Sequence, residues 1–476
     1  MKYVLVSGSL DQNVDEVIYD SRKARPDSVF VCIQGSTRDS HEFIPDVLKA
    51  GCKVLVIEKE VEVPADVTVI RVENGRLALA ELSAARFGYP AEKLITIGIT
   101  GTKGKTTTSY MIKAVLEAAG KKTGLIGTNG AVIGDEKFPT SNTTPESYVV
   151  QEYFHKMVEA GCECCVMEVS SQAMKMHRVA GIHFNYGLFT NISPDHIGKD
   201  EHADFAEYLY YKKQLFYQCD RALINVDDEH IEEIVKDIPC PWTGFGLKAG
   251  AGFQAENIHY VSEPDFVGVE FDIKGEHQIP VRVSIPGKFN VYNALAAAAV
   301  TLWVGVPAEK LQHALEHLKI NGRMEIVYTS EKCCVIVDYA HNAVSMESLL
   351  ATLREYHPKR LVVVFGCGGN RSKDRRYSMG EIGGRMADLS IITADNSRFE
   401  KVEDIIADIR GSIEKTGGSF LEIPDRKEAI TYSITHAEPG DMIAIIGKGH
   451  EDYQEINGVR YPFLDRAVVE EVVKNL

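Results

Sequence analysis

The chain has 476 residues, room for about three domains of roughly 150 residues each and for sizeable apolar cores. A formal net charge of −16 argues against a general nucleic-acid or anionic-membrane binder, while local basic sites stay compatible with it. A composition that is 45% hydrophobic and 25% charged excludes a disordered or fibrous chain.

The opening MKYVLVSGSLDQNVDE lacks the basic stretch and long apolar core of a secretory signal, so a cytoplasmic protein is expected. Residues 1–89 alternate short apolar strands at 28–33, 53–57 and 67–72 with a helical pattern near 43–49, which predicts a small α/β domain. After Tyr89-Pro90 a βαβ rhythm begins: a strand at 94–100, a Gly-rich turn, and a helix with Met111, Ile112, Val115 and Leu116 on one face. Residues 255–285 read as antiparallel strands. The apolar run 294–306 is shorter than the ~18 residues of a membrane span and reads as a buried helix. Near Asn321-Gly322-Arg323 the pattern resets, and strands at 333–338, 360–365, 389–393 and 441–446 alternate with helices as in a second parallel sheet. The expected domains are 1–89, 90–321 and 322–476. The ten cysteines lie inside runs that read as buried strands, so they are expected to be reduced core residues.

The strongest local signal is Thr100-Gly101-Thr102-Lys103-Gly104-Lys105-Thr106-Thr107 between a strand and a helix. Glycines there let backbone N–H groups close around phosphate oxygens, Lys105 would reach the terminal phosphates and the Thr106 hydroxyl would bind Mg²⁺, a solvated Gly/Lys turn being the alternative. The strict P-loop spacing fails at its first glycine, where Ile99 stands. Glu168 ends another apolar strand and suits a Mg²⁺ site with Thr106, a surface glutamate being the alternative. His196 follows a third strand and by itself reads more readily as a structural histidine than as a ligand. In the next helix Phe205, Tyr208, Leu209, Lys212, Leu215 and Phe216 recur at steps of three and four, which puts Lys212 on the apolar face and Lys213 off it. Two readings stay open for Lys212: a stem snorkelling along the core edge, or a desolvated neutral amine that takes up CO₂ as a metal-binding carbamate. Four polar loops end strands of the last domain: 338–342, 366–371, 395–398 and 447–451. Loops at the carboxyl ends of one parallel sheet converge on one crevice.

These pieces in this order resemble the Mur ligase family of ATP-dependent amino-acid ligases, nearest to the members that add the third residue of the peptidoglycan stem peptide. The resemblance runs over nearly the whole chain. Its distinguishing stretches are Tyr19-Asp20-Ser21-Arg22, Asn142-Thr143-Thr144-Pro145, Glu168-Val169-Ser170-Ser171, Tyr211-Lys212-Lys213-Gln214-Leu215-Phe216, Gly322-Arg323-Met324-Glu325, Asp338-Tyr339-Ala340-His341 and Gly447-Lys448-Gly449-His450-Glu451.

The resemblance implies three domains: a small N-terminal α/β domain for UDP, a central P-loop ATPase-like domain, and a C-terminal Rossmann-like domain for the amino acid. It implies that Ser21, Asn142, Thr143, Thr144, Ser170 and Arg178 hold a UDP-muramoyl dipeptide. Gly101, Thr102, Lys103, Gly104, Lys105, Thr106, Thr107, Asn293, Arg323, Asp338 and His341 would bind ATP, with Lys105, Glu168, His196 and Lys212 in catalytic roles. Thr106, Glu168, His196 and Lys212, as its N6-carboxylated form, would hold Mg²⁺. Arg371, Asp395, Asn396, Arg398, Gly447 and Glu451 would bind the incoming diamino acid. Where members that add meso-diaminopimelate carry Asp-Asn-Pro-Arg, this chain has Asp395-Asn396-Ser397-Arg398. The retained arginine can bind a distal carboxylate bidentately and favours meso-diaminopimelate over L-lysine. The lost proline, with Gln172 and Met176 at positions where the family differs, keeps a related amino acid or another acceptor as alternatives. No nucleic-acid or membrane partner is expected, and a monomer is.

Overall fold

The computed structural model describes residues 2–35, 38–195, 197–198, 201–263 and 266–476. They form two compact units, residues 1–254 with 295–311, and residues 255–294 with 312–476.

The first unit opens with five strands, β1 (Tyr3–Ser7), β2 (Glu16–Ile18), β3 (Ser28–Val31), β4 (Val54–Ile57) and β5 (Thr68–Val72), in the order β1-β5-β4-β3-β2. β2 to β5 are parallel and β1 is antiparallel to β5. β3 and β4 are buried throughout, because α1 (Ile44–Lys49) and α2 (Gly75–Arg86) help cover the sheet. The helix expected near 43–49 is a 3-10 turn, Ser40–Phe43, running into the short α1.

A second sheet of this unit carries β6 (Ile95–Thr100), β7 (Thr123–Gly127), β8 (Gly130–Ile133), β9 (Glu136–Phe138), β10 (Cys164–Glu168), β11 (Phe184–Phe189), β12 (Cys219–Asn225) and β13 (Trp242–Gly246), with the order β13-β12-β11-β6-β10-β7-β8-β9. The strands from β13 to β7 are parallel. Their connecting helices are α3 (Lys105–Ala118), α4 (Ser147–Glu159), α5 (Ser171–Lys175), α6 (Phe205–Lys213) and α7 (Ile231–Val235). Met111, Ile112, Val115 and Leu116 are all fully buried, as the periodicity of α3 predicts.

Then come β14 (Phe253–Glu263), β15 (Phe266–Gly275), β16 (Ile279–Val283), α8 (Lys288–Trp303) and α9 (Ala308–Glu316). β15 and β16 are antiparallel, and α8 buries residues 294–300 completely, so the apolar run 294–306 is a buried helix up to Trp303.

The second unit holds β17 (Glu325–Thr329), β18 (Cys333–Asp338), β19 (Arg360–Phe365), β20 (Leu389–Ile392), β21 (Phe420–Glu422) and β22 (Asp441–Ile446), ordered β17-β18-β22-β19-β20-β21. All pair in parallel except β17. Helices α10 (Ala343–Arg354), α11 (Asp374–Met386), α12 (Val402–Thr416) and α13 (Arg426–Thr435) connect them, and an antiparallel hairpin, β23 (Tyr453–Ile456) and β24 (Val459–Pro462), precedes α14 (Asp465–Lys474). Separate apolar cores fill the two faces. All ten cysteines are free and buried, as expected of core residues. No helix among the described residues is long and apolar enough to cross a membrane.

Candidate active site

β6 ends at Thr100 and α3 starts at Lys105; the turn between them needs glycine, with φ of +147° at Gly101 and +85° at Gly104. A Cβ on Gly101 would lie 1.9 Å from Thr190 Oγ1. The segment after β11 pins the turn: Thr102 N donates to Asn191 O at 2.8 Å and Lys103 N to Asn191 Oδ1 at 2.9 Å. The turn delivers Thr106 and Thr107 on the first turn of a 14-residue helix, whose N-terminal amides form an anion site. Lys105 Nζ donates to Gly101 O at 2.7 Å and Thr102 O at 3.2 Å. Burial pushes its pKa below that of an ordinary lysine, and the Glu168 carboxylate pulls the other way.

Glu168 closes β10 and is buried. Its Oε2 accepts from Thr106 Oγ1 and from Thr128 Oγ1, each at 3.1 Å, and its Oε1 accepts from Thr128 N at 3.1 Å. The sequence-based pairing of Thr106 with Glu168 is therefore present, and Thr128, in the β7–β8 turn, is a partner that sequence reading missed. A Cβ on Gly127 would meet Glu168 Oε1 at 2.2 Å, so only glycine leaves room for this carboxylate.

Lys212 is 2% exposed, head as well as stem, which overturns the snorkelling alternative. Its Nζ donates to Gly101 O at 2.7 Å and sits 4.5 Å from the centroid of Tyr208, whose hydroxyl is 3.0 Å from Thr102 Oγ1. Lys213 instead donates to the backbone carbonyls of Glu233 and Lys236, so the periodicity separated the two lysines correctly. Burial first, and the Lys105 ammonium second, push the Lys212 pKa well below its ordinary value. A neutral amine is what carbamate formation requires. His196 lies outside the described residues. No cluster of three or more His, Cys, Asp or Glu suited to a metal occurs among the described residues.

The residues assigned to the UDP-linked acceptor mostly adjoin this region. Thr143 Oγ1 is 3.1 Å from Thr128 Oγ1, and Thr144 Oγ1 donates to Glu168 O at 2.8 Å. Ser170 caps α5, accepting from Ala173 N at 3.1 Å, and Arg178 Nη1 donates to Thr144 O at 3.2 Å. Asn142 is exposed. Ser21 heads a 3-10 turn capped by Asp20 in the first sheet's domain and touches none of these residues in a hydrogen bond.

In the second unit, β18, β22, β19 and β20 are neighbours, so their carboxyl-end loops lie side by side. Both Asp338 carboxylate oxygens accept backbone amides at 2.7 Å, Oδ2 from Met324 and Oδ1 from Ala340. Asn293 Nδ2 donates to Asn290 Oδ1 at 2.9 Å, Asn290 Nδ2 reaches Met324 Sδ at 3.9 Å, and the Arg323 guanidinium lies 5.0 Å from the Tyr339 ring. His341 Nδ1 is 2.8 Å from Tyr339 O. Met324, with a strained φ of +43°, follows Arg323 and meets Asp338 and Asn290; Asn293 joins through Asn290 and His341 through Tyr339, which adjoins Asp338 in the chain.

The adjoining loops gather the residues assigned to the amino acid. Asn396 Nδ2 donates to Glu451 Oε2 at 3.0 Å, and Asp395 Oδ2 is 3.3 Å from where a Gly447 Cβ would stand. Arg398 is left-handed, with φ of +52°, because β23 holds it: its N donates to Glu455 O at 2.9 Å and its Nε lies 3.5 Å from Glu455 Oε2. Its Nη1 donates to Gly369 O at 2.7 Å. Arg371 is exposed and flanks Gly368 with Arg398. Sequence reading assigned Lys448, inside the loop 447–451, no role of its own, and did not announce the β23–β24 hairpin.

Three family descriptions match the chain: "Mur ligase family, catalytic domain" over residues 13–87, "Mur ligase middle domain" over 99–301 and "Mur ligase, glutamate ligase domain" over 322–449. A Clostridium acetobutylicum protein named UDP-N-acetylmuramoyl-L-alanyl-D-glutamate--2,6-diaminopimelate ligase 1 is 41% identical across 100% of this chain and 98% of its own. The chain belongs to the Mur ligase family. A Clostridium perfringens ligase of the same name is 39% identical, across 100% of this Mur ligase and 98% of that protein. A solved structure titled as that 2,6-diaminopimelate ligase superposes with a TM-score of 0.76 at 27% identity, covering 99% of both chains. A MurF ligase from Thermotoga maritima in complex with ADP shares the fold, with a TM-score of 0.55 at 17% identity over 96% of each chain. This Mur ligase has the family's three-domain architecture.

Proposed function

We propose that this Mur ligase uses ATP to join 2,6-diaminopimelate, in its meso form, to UDP-N-acetylmuramoyl-L-alanyl-D-glutamate during peptidoglycan synthesis. The observation that carries the chemistry is the convergence of Lys105 and Lys212 on Gly101 O, beside the Thr106–Glu168 pair. A lysine ammonium and a buried, carbamate-forming lysine at a glycine-rich helix start suit a phosphoryl group and a carboxylate brought together. The names of the relatives, matched along the whole chain, support the substrates.

A carboxylate of the D-glutamyl residue would attack the γ-phosphorus of ATP, and ADP would leave with the electron pair of the broken P–O bond. The amine of the diamino acid then attacks the acyl carbon, loses a proton, and expels inorganic phosphate as the amide forms. The first step joins two anions, so the protein contributes mainly position and positive charge through Lys105 and the amides of 101–106. Thr106 and Glu168 offer the hard oxygen donors that Mg²⁺ requires, and a carbamate on Lys212 adds more, with His196 the remaining expected ligand. Bound there, Mg²⁺ supplies charge neutralisation on the phosphates.

Thr143, Thr144, Ser170, Arg178 and Ser21 hold the UDP-linked acceptor in this reading. Asn293, Arg323, Asp338 and His341 hold ATP, and the loops bearing Arg371, Asp395, Asn396, Arg398, Gly447 and Glu451 hold the amino acid. The working segments are 1–89, 90–321 and 322–476, in line with the spans of the three family matches. A cytoplasmic monomer completes the reading. The test is phosphate release with ATP and the UDP-muramoyl dipeptide across a panel of diamino acids. Release that needs all three substrates and is fastest with meso-diaminopimelate is expected. Faster turnover with L-lysine would replace the proposed amino acid, and ATP turnover independent of the acceptor would sink the ligase reading.

A further inference from the structure

Between β22 and the β23–β24 hairpin, Gly447 and Gly449 take φ of +112° and +53°, and the turn they make drives Lys448 inward until it is 0% exposed. A lysine head without water must find its partners in the protein. Lys448 Nζ donates to Asn396 Oδ1 and to Glu451 Oε2, each at 3.2 Å, and lies 3.8 Å from Asp395 Oδ1 and 5.3 Å from the Tyr453 ring centroid. Three of these four neighbours are residues that the proposed function gives to the incoming amino acid.

We propose that Lys448 is a positioning residue for that amino acid, acting through Asn396 and Glu451. The inference rests on the reading that these two residues bind the substrate. Asn396 Oδ1 accepts from Lys448 Nζ and, at 2.9 Å, from Glu455 N; two donors on one side fix the amide oxygen there and turn Nδ2 toward Glu451, to which it donates at 3.0 Å. Glu451 Oε2 therefore receives both Lys448 and Asn396, while among the described residues Oε1 receives only the long Tyr339 hydroxyl contact at 3.4 Å. One carboxylate edge is held and the other is left to take an ammonium from the substrate. Charge works the same way: Lys448 Nζ faces both the Asp395 and the Glu451 carboxylates and offsets their mutual repulsion.

The experiment compares Lys448→Met, Glu451→Gln and the double variant in steady-state kinetics by phosphate release. Lys448→Met is expected to raise KM for meso-diaminopimelate at least tenfold, with KM for ATP and for the UDP-muramoyl dipeptide within twofold of the parent. The double variant is expected to stay within threefold of Glu451→Gln, because both changes remove one device. Lys448→Gln keeps a donor and is expected to lie between Lys448→Met and the parent; it carries the test if Lys448→Met does not fold. An equal rise in all three KM values, fully multiplicative effects in the double variant, or loss of the fold in both lysine variants would overturn the proposal. If Glu451→Gln raises KM and Lys448→Met does not, the positioning role alone fails. If Glu451→Gln leaves KM unchanged, the amino-acid site itself is misassigned and the role of Lys448 falls with it.

Discussion

Lys105 and Lys212, on different helices, donate to one oxygen, the carbonyl of Gly101, each over 2.7 Å. Two ammonium groups cannot share an acceptor without repulsion, and the Lys105 charge is one reason why the pKa of the buried Lys212 is depressed. An anion bound at the turn, or conversion of Lys212 to a carbamate, relieves that repulsion. Lys105→Met and Lys212→Ala are each expected to lower kcat by at least about 10²-fold, the scale of losing one oriented charge at a reacting centre. Phosphate release measures this, with a circular-dichroism melt to show that both variants fold. A short carboxylic acid is expected to restore part of the activity of Lys212→Ala, and full activity in that variant without additive would refute the carbamate.

The same burial has a pH signature. The folded pKa of Lys212 lies below the 10.5 of an unfolded lysine. Below the folded value both states carry the proton and the buried charge burdens the fold. Between the folded value and 10.5 the unfolded state binds more protons, so stability from this group rises with pH across that window. Urea unfolding of the parent and of Lys212→Met, followed from neutral to alkaline pH, is expected to show a steeper rise, or shallower fall, in the parent. Parallel curves would mean that the lysine is not desolvated. Carbamate formation adds a second signature at fixed pH: activity falls in CO₂-depleted buffer and returns with bicarbonate.

Gly322 sits where the chain enters the last sheet, with φ of +67°, and a Cβ there would stand 2.2 Å from His450 N and 2.4 Å from Gly449 C. Both obstacles are backbone, so neither yields as a flexible side chain does. Gly322→Ala is expected to cost about 1–3 kcal/mol in urea unfolding and to raise KM for ATP, since Arg323 is the next residue. An alanine variant as stable and as active as the parent would show that the two loops can separate without consequence.

Much of this was readable along the chain, and what was not has a common cause. The helix-period stripe through Phe205, Tyr208 and Leu215 put Lys212 inside, and strand-end placement put Glu168 beside Thr106. Signals of this kind repeat locally and survive folding. β1 escaped because Tyr3, Val4, Leu5 and Val6 are exposed on an edge strand and carry no in-out alternation. α2 is rich in alanine and small side chains, although Asn74, which accepts from Leu77 N, marks its start. Thr128 and Lys448 escaped for a different reason: each owes its role to partners distant in sequence, on other loops, and no local pattern records that meeting.

Arg398 gives the substrate prediction its sharpest form. Gly369 O takes an Nη1 hydrogen and Glu455 lies beside Nε, and the Nη1–Nη2 end of the guanidinium can still present two N–H groups to a carboxylate. Arg398→Lys keeps the charge and loses the fork. It is expected to raise KM for meso-diaminopimelate about tenfold or more while changing KM for L-lysine, which lacks the second carboxylate, less than threefold. Equal effects on both amino acids would show that Arg398 does not read the distal carboxylate.

Arg426 and Asp465 tie the stability of the last sheet to the order of its loops. Both side chains are fully buried and pair through two hydrogen bonds, Nε to Oδ1 at 2.7 Å and Nη2 to Oδ2 at 2.8 Å. The same guanidinium donates to Ala394 O at 3.2 Å and Ile446 O at 3.0 Å, so it clamps the backbone just before Asp395 and just before Gly447. Asp465→Ala strands a buried cation and is expected to cost about 3–5 kcal/mol in urea unfolding. Replacing the pair together, Arg426→Met with Asp465→Leu, removes the stranded charge and is expected to recover most of that stability. It does not recover the clamp, so KM for the diamino acid stays raised in the double variant while KM for the UDP-muramoyl dipeptide returns to the parent value. A double variant with a normal amino-acid KM would show that the two loops hold their positions without Arg426.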